Sequence, residues 1–544
     1  MGGPGALREK AGPEVAVEQT PATSLALIES LRRPTCYPHA VDRVEVLETH
    51  ISYVLLAGDF AYKIKKPVRL EFLDFSSLQA RRFFCEEEVR LNRRTAPGLY
   101  LGVMAIGGEP LALGPCEEPV EYAVKMKRFP QEALFDRMAR ELRLEPGHVD
   151  ALARVVARFH AAAPRAEACG GEASVERAVQ PALDNFRDIA ALEASSAVHA
   201  SLGRLREWTL HERDALARRF ALRRLDGLVR ECHGDLHLGN VALIDGEPVP
   251  YDCIEFDARL RWTDVMSDVA FTMMDLEHHG LPRLAARFLN TYLEETGDYA
   301  GLRVLRFYRV YRALVRAKVA RIRKRQCAIG TREYAAAQAE FLERLRLAER
   351  RARPAAPVLV LMHGLSGSGK TTASQLLLEA LDAVRLRSDV ERKRLHGLPG
   401  AARSASAPGG GLYARDESRR TYSHLATLAH EALASGYPVV IDAASLGRGE
   451  RDRFRDVARA AGAAFELATC IAPDDVLRSR IEQRAQRAND ASEAGPEVPE
   501  LQRATCEPLG DDERVHCVTL DTAHAAEWKS AAESLARRFH AARP

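Results

Sequence analysis

From residue 24 onward the chain switches between two periodicities. Alternating apolar positions in VEVLETHISYVLLAGDFAYKIKKPV (44–68) predict short strands, and YVLLAGDFAYKI predicts a hairpin turning at Gly58–Asp59. The 3.6-residue spacing in SSLQARRFFCEEEVRLNRRTAP (76–97) predicts a helix, with serine N-cap candidates and Pro97 past its end. VEYAVKMKRFP (120–130) predicts another strand, and helical spacing runs from about 131 to 230. In 231–257, ECHGDLHLGNVALIDGEPVPYDCIEFD, the pattern predicts a loop, a strand at Val241–Ile244, a turn at DGEP and a returning strand at VPYD. Long helices follow over 262–350.

RRARPAAP (350–357) breaks the pattern and reads as a linker. Beyond it, VLVLMHG (358–364), AVRLRSD, YPVVIDA, AFELATCIA and RVHCVTLDT predict strands separated by helices. Such alternation implies a parallel sheet with helices on both faces. GAARSASAPGGG (400–411) reads as a low-complexity loop. The organisation expected is a disordered tail (1–23), a first domain (24–350, split near 130 into small and large lobes), a linker (351–357) and a second domain (358–544). The fold class is mixed, α+β in the first half and α/β in the second.

Composition narrows the function little. A chain of 544 residues is too long for one core. A net charge of +2 sets up no global field for nucleic acid or a membrane surface. Ten cysteines are scattered without a CxxC pair, the usage of reduced thiols in a cytosolic protein. No apolar run approaches the ~18 residues of a membrane helix, and the N-terminus has no continuous apolar signal core. The expectation is a soluble cytoplasmic protein; its oligomeric state is left open.

The chemistry begins with GLSGSGKTT. Its G-x-x-x-x-G-K-T motif, Gly364 to Thr371, follows a strand and opens a helix. Gly364, Ser366, Gly367, Ser368 and Gly369 can turn backbone N–H groups toward phosphate, aided by the helix N-terminus. Lys370 can reach the β- and γ-phosphates of ATP, Thr371 can hold Mg²⁺, and Thr372 extends the same turn. Asp389 and Asp442 sit at strand carboxyl ends, where open sheets build sites. Asp389 suits an acceptor hydroxyl and Asp442 suits Mg²⁺ or substrate. Arg480, Arg484 and Arg487 share one helix face and could close on phosphates. This half resembles small P-loop kinases of the gluconate-kinase and polynucleotide-kinase type. By that resemblance RSDVERKR supplies Asp389 and Arg392 near the acceptor, and NDASEA (489–494) is similar to the segment after the lid.

In the first half, the predicted hairpin would bring Asn240 and Asp252 together at its open end, with Asp235 on the preceding loop. Carboxylate and amide oxygens are hard ligands suited to Mg²⁺, and a further carboxylate can orient a hydroxyl. HGDLHLGN resembles the catalytic loop of aminoglycoside phosphotransferases and their protein-kinase-like relatives. The resemblance implies Asp235 as catalytic base, Asn240 and Asp252 as Mg²⁺ ligands, His233 as a brace and Asp268 as support from below. AYKIKK resembles the strand bearing the nucleotide lysine, best matched by Lys63, with Lys65 on the same face. CEEEVRLNR resembles the helix whose glutamate pairs with that lysine; Glu87 is the choice, with Glu86 and Glu88 as alternatives. Two departures stand out. The segment expected over the phosphates, ETHIS (48–52), has no glycine, and position 234 is Gly where protein kinases place Arg. A last cluster, Arg309, Arg312 and Arg316, shares a helix face and reads first as salt bridges, second as an anion site.

The expectation is a tandem ATP- and Mg²⁺-dependent kinase with small-molecule hydroxyl acceptors. Two alternatives are a P-loop domain acting on a nucleic-acid 5′-hydroxyl, which lacks a concentrated basic patch to support it, and a first domain that only senses nucleotide.

Overall fold

The structure is a computed structural model that describes residues 21–70, 73–167, 172–353, 357–400, 402–404, 406, 410–487 and 491–540. Most of the expected tail, the linker residues 354–356, part of the 400–411 loop and the first two residues of NDASEA lie outside the described residues.

The chain forms two compact units, one of residues up to Pro130 with Pro250–Ala258, the other of Gln131–Val249 with Arg259 onward. The first is built on β1 (Val44–Glu48), β2 (Ser52–Ala57), β3 (Phe60–Lys65), α1 (Leu78–Asn92), β4 (Tyr100–Gly107), β5 (Ala112–Leu113) and β6 (Pro119–Lys127). The sheet runs β1-β2-β3-β6-β4-β5, so β3 is an inner strand, paired antiparallel to β2 and β6. The β2–β3 turn falls at Gly58–Asp59, and Gly58 takes a positive φ of 58°. Helix α1 begins where Ser77 accepts the Ala80 N–H at 3.1 Å and stops at Asn92, short of the expected Pro97. There the Asn92 amide turns back onto the Glu88 carbonyl, 2.9 Å away, and accepts the Cys253 N–H.

The second unit contains α2 (Pro146–Ala162), the hairpin of β7 (Val241–Ile244) and β8 (Glu247–Pro250), and helices α3 (Val265–His278), α4 (Pro282–Thr296), α5 (Leu302–Gln326) and α6 (Arg332–Ala352). The hairpin turn is two residues, Asp245 and Gly246, both at positive φ, so the strand resumes at Glu247, earlier than expected. The P-loop half follows as β9 (Val358–His363), α7 (Lys370–Leu381), β10 (Val384–Arg387), α8 (Ser388–Leu395), α9 (Arg415–Ala434), β11 (Val439–Asp442), β12 (Ala464–Ile471), α10 (Asp474–Arg487) and β13 (Cys517–Asp521). Its five strands are all parallel in the order β10-β11-β9-β12-β13. Every side chain of β9 is buried, as a strand covered on both faces requires.

This half packs directly on the helices before it. Helix α4 buries Ala285, Ala286, Phe288, Leu289, Tyr292 and Leu293, a stripe at helical spacing. One apolar core runs from Ala285, Phe288, Leu289, Tyr292 and Leu293 through to Leu359, Leu361, Val384 and Ile441 of the parallel sheet, and Ala286 joins a second core with Val358, Val360 and Met362. Each such large side chain contributes about 1.5–3 kcal/mol on burial.

Candidate active sites

In the first unit, Lys63 and Lys65 alternate on β3 and project to one side. Lys63 Nζ donates to Glu88 Oε1 at 2.9 Å and to Asp252 Oδ1 at 2.6 Å. Lys65, almost fully buried, donates to Glu88 Oε2 at 2.7 Å and to Glu255. The glutamate that meets the lysines is therefore Glu88; Glu87 pairs with Arg90 at 2.7 Å instead. Helix phase explains this correction. Arg81, Cys85, Glu88 and Asn92 form the buried face of α1, with Arg81 anchored to Glu121 at 2.8 Å, and Glu87 is turned about 100° away. Burial disfavours the Lys63 charge, but Asp252, Glu88 and Glu255 outweigh it and hold the pKa well above the usual lysine value. Asp252 stands at a positive φ of 63°, its N–H donating to the Tyr100 hydroxyl at 3.2 Å.

In the second unit, the loop 233–240 rests on helix α3. Asp268, in the first turn, accepts the N–H of His233 at 2.8 Å and of Gly234 at 3.0 Å. One turn on, the Thr272 hydroxyl donates to Leu236 O at 2.8 Å, and Asp275 then accepts the Leu238 N–H at 3.0 Å. Residues 268, 272 and 275 lie on one helix face, so α3 holds the loop at four backbone groups. Gly234 has φ 85°, which suits glycine where protein kinases carry arginine. Asn240 Nδ2 donates to the Asp235 carbonyl at 3.0 Å and to Oδ2 at 3.1 Å. His237 Nδ1 accepts the Gly239 N–H at 3.0 Å, so its proton belongs on Nε2, 3.4 Å from Asp235 Oδ2. Burial pushes the Asp235 pKa up, yet His237, Arg316 and His233 overcome it and bring the carboxyl well below the usual range.

The third site is one cleft of about 1540 Å³ at the carboxyl ends of the parallel strands. It exceeds the roughly 300–1,000 Å³ of an ordinary ligand pocket and has room for two substrates. Ser366, Gly367, Gly369, Lys370, Thr371 and Thr372 line one end of it. Gly364, Gly367 and Gly369 all take positive φ, and a Cβ on Gly364 would lie 2.4 Å from the Cys470 carbonyl. Positions 364 and 367 thus have no room for a side chain. Lys370 Nζ donates to the carbonyls of Gly364 and Leu365, both at 2.8 Å, and Ser366 N–H donates to Gln502. Ser368 Oγ is buried without a hydrogen-bond partner, a group that a bound phosphate oxygen would satisfy. Burial lowers the Lys370 pKa, against the pull of Asp442 and Asp389. Burial also raises the Asp389 pKa, against Arg392 and Arg387.

The cleft brings Asp389, Asp442, Arg392, Arg480 and Arg484 to its walls. Arg480 is more committed than its helix face suggested: it donates to Gly367 O, Thr522 O and Thr522 Oγ1. Arg484 donates to Ala494 O at 3.2 Å. The Arg487 side chain and Asn489–Asp490 lie outside the described residues. In the arginine cluster of α5, Arg309 and Arg312 are structural, while Arg316 lies 3.9 Å from Glu340 and acts on the Asp235 carboxylate. Arg309 pairs with Glu277 and faces Asp382 at 3.7 Å, and Arg312 donates to Ser267 and stacks on Phe271. Sequence reasoning missed Thr272, Asp275, Glu255 and the Arg81–Glu121 anchor. The polar positions 268, 272 and 275 inside the apolar run of α3 were the available signal.

Fold and sites together define a phosphotransferase with two unlike kinase halves. The model of the phosphotransferase enzyme family matches residues 110–308, and an AAA-domain model of the P-loop kinase type matches residues 359–509. Both halves are kinase families, so the chain is an ATP-dependent phosphotransferase. It belongs to the same family as the uncharacterized proteins Rv2004c of Mycobacterium tuberculosis (strain ATCC 25618 / H37Rv) and Mb2027c of Mycobacterium bovis (strain ATCC BAA-935 / AF2122/97). Each is 34% identical over 471 residues, covering 84% of this chain and 90% of the relative. Among solved structures, a gluconokinase from Sinorhizobium meliloti 1021 is similar at 22% identity over 35% of this chain and 96% of that one, with TM-score 0.25. The amicoumacin kinase hAmiN, solved with AMP-PNP and Ca²⁺, is similar at 12% identity over 60% and 93%, with TM-score 0.38. No helix among the described residues is long and apolar enough to cross a membrane.

Proposed function

We propose that each half transfers the γ-phosphoryl group of ATP to a hydroxyl of a small molecule, with Mg²⁺ as the charge-neutralising ion. The observation that carries this reading is the P-loop cleft, which joins a glycine cradle and Lys370 to two carboxylates, Asp389 and Asp442, in a space sized for two substrates. Asp389 would accept the acceptor proton, and its raised pKa suits that task. Thr371 and Asp442 offer the oxygen atoms that Mg²⁺ takes. An anionic acceptor would suit this half: Arg392 lines the cleft, stacked on Tyr413 and held through Nη1 by Leu412 O and Ser418 Oγ.

In the first half, Lys63 would bind phosphate and Glu88 would hold that lysine. Asp235 would orient the acceptor hydroxyl, with Asn240 fixing its carboxylate. The Asn240 nitrogen is committed to Asp235, so its oxygen is the ligand-capable atom. Asp252 is the second oxygen donor proposed for Mg²⁺. When bound, the metal supplies neutralisation of the phosphoryl charge; this chain's residues supply position. A domain division at residues 351–357 is part of this reading.

The test is a metabolite mixture incubated with ATP and the full chain. Asp235→Asn should abolish one phosphorylated product and Lys370→Ala another. If neither substitution changes any product, the tandem reading fails.

A further inference from the structure

The edge strand of the P-loop sheet is held by the other kinase half. Asn290 on α4 donates to the Ala383 carbonyl at 2.8 Å and accepts the Arg385 N–H at 2.6 Å, pairing backbone groups beside the edge strand β10. One turn further along α4, Glu294 meets both arginines of that strand. Its Oε1 accepts from Arg385 Nη2 at 2.7 Å and Nε at 3.1 Å, and its Oε2 accepts from Arg387 Nη1 at 3.4 Å. Arg385 and Arg387 share a strand face because side chains alternate. Arg387 does not end there. Its Nε lies 3.6 Å from Asp442 Oδ2, and both residues line the nucleotide cleft. A second tie runs parallel, since the Tyr299 hydroxyl donates to Glu391 at 3.0 Å on α8, the helix that carries Asp389 and Arg392.

Arg387 is thus shared between a carboxylate of the first half and a carboxylate of the P-loop site. A guanidinium that paired fully with Asp442 would hold the oxygens that Mg²⁺ needs and would repel the ion. We propose that Glu294 is a positioning residue for the P-loop site: by holding Arg387 it keeps the Asp442 carboxylate available to the metal. The inference rests on the reading of Asp442 as a metal-side carboxylate. It makes the first half a structural part of the second half's active site.

The test uses the full chain with Lys63→Met to silence the first site. Binding of a fluorescent non-hydrolysable ATP analogue is titrated with Mg²⁺. Glu294→Gln should raise the half-saturating Mg²⁺ about tenfold, the scale of a lost outer-sphere contact, and leave metal-free analogue binding unchanged. Adding Arg387→Gln should give the titration of Arg387→Gln alone, because Glu294 then has no guanidinium left to hold. A Glu294→Gln titration that superposes on the parent, or two substitutions whose effects simply add, overturns the proposal. If thermal unfolding shows that Glu294→Gln does not fold, Arg387→Gln alone decides: the half-saturating Mg²⁺ should fall, and an unchanged or higher value overturns the proposal. Asp442→Asn separates the two layers. An unchanged Mg²⁺ titration there removes the metal role of Asp442, and the inference falls with it.

Discussion

The proposed function draws on a lysine and an aspartate from each half, and the two sets are held in opposite electrostatic states. Lys63 is surrounded by carboxylates that stabilise its charge, while Lys370 touches carbonyl groups and is buried against its charge. Asp235 is pulled below the usual carboxylate range by His237 and Arg316 against burial, while Asp389 is pushed above it by burial against Arg392 and Arg387. The first half therefore neutralises its lysine with side-chain pairs, and on the proposed function a phosphate would compete with Asp252 for Lys63. In the P-loop half Lys370 and the Ser366 N–H are held by neutral oxygens, and the buried Ser368 hydroxyl has no partner. On the proposed function the two halves differ in what a phosphate displaces: carboxylates in one, neutral oxygens on a glycine loop in the other.

The largest effect should come from Glu88→Gln, which strips a carboxylate from two buried lysines. Breaking such a pair costs about 3–5 kcal/mol, read as a lower denaturation midpoint together with loss of nucleotide binding in the first half alone. Glu87→Gln is its control and should shift stability by no more than about 0.5 kcal/mol. Equal effects of the two would put the lysine partner back in doubt. Next is Asp268→Ala, which leaves the His233 and Gly234 N–H groups unpaired beneath the Asp235 loop. The misplaced base should cost about 100-fold in kcat for the first activity and nothing in the P-loop activity. A parallel fall in both would mean that α3 supports the whole unit and not that loop.

The smallest effect is in the pH profiles of kcat/KM. A carboxylate base works only when ionised, so a raised pKa moves its acid limb to higher pH and a lowered pKa moves it to lower pH. As pH falls, the Asp389-dependent activity should be lost before the Asp235-dependent one. On the alkaline side, the depressed pKa of Lys370 should cost the P-loop activity its charge first as well. The P-loop activity thus has the narrower window at both ends. An Asp235-dependent profile that is the narrower of the two would invert the comparison.

Local chemistry was legible wherever a motif is contiguous. The Gly58–Asp59 turn, the loop from Gly364 to Thr371 and the HGDLHLGN segment each declare themselves, because a tight turn or a phosphate cradle restricts which residues fit at fixed spacing. The choice among Glu86, Glu87 and Glu88 was not legible from the resemblance alone. It depends on the phase of α1 against the sheet, which Arg81 and Asn92 set at the helix ends. The support of the Asp235 loop by Thr272 and Asp275 was hidden for a related reason: polar residues in a buried helix show their purpose only when the chain they hold is in place.

By itself, then, the chain's order of residues determined two kinase-type halves and the strand–helix alternation behind the all-parallel sheet of the second, since these follow from short-range periodicity and backbone restriction. Tertiary structure alone decided which carboxylate meets which cation. It paired Lys63 with Glu88, Arg309 with Glu277 and Arg387 with Glu294, partners 25, 32 and 93 residues apart. Ion pairs have no sequence period; they form where packing of apolar faces brings charged side chains out of water together, and only the folded chain sets those places.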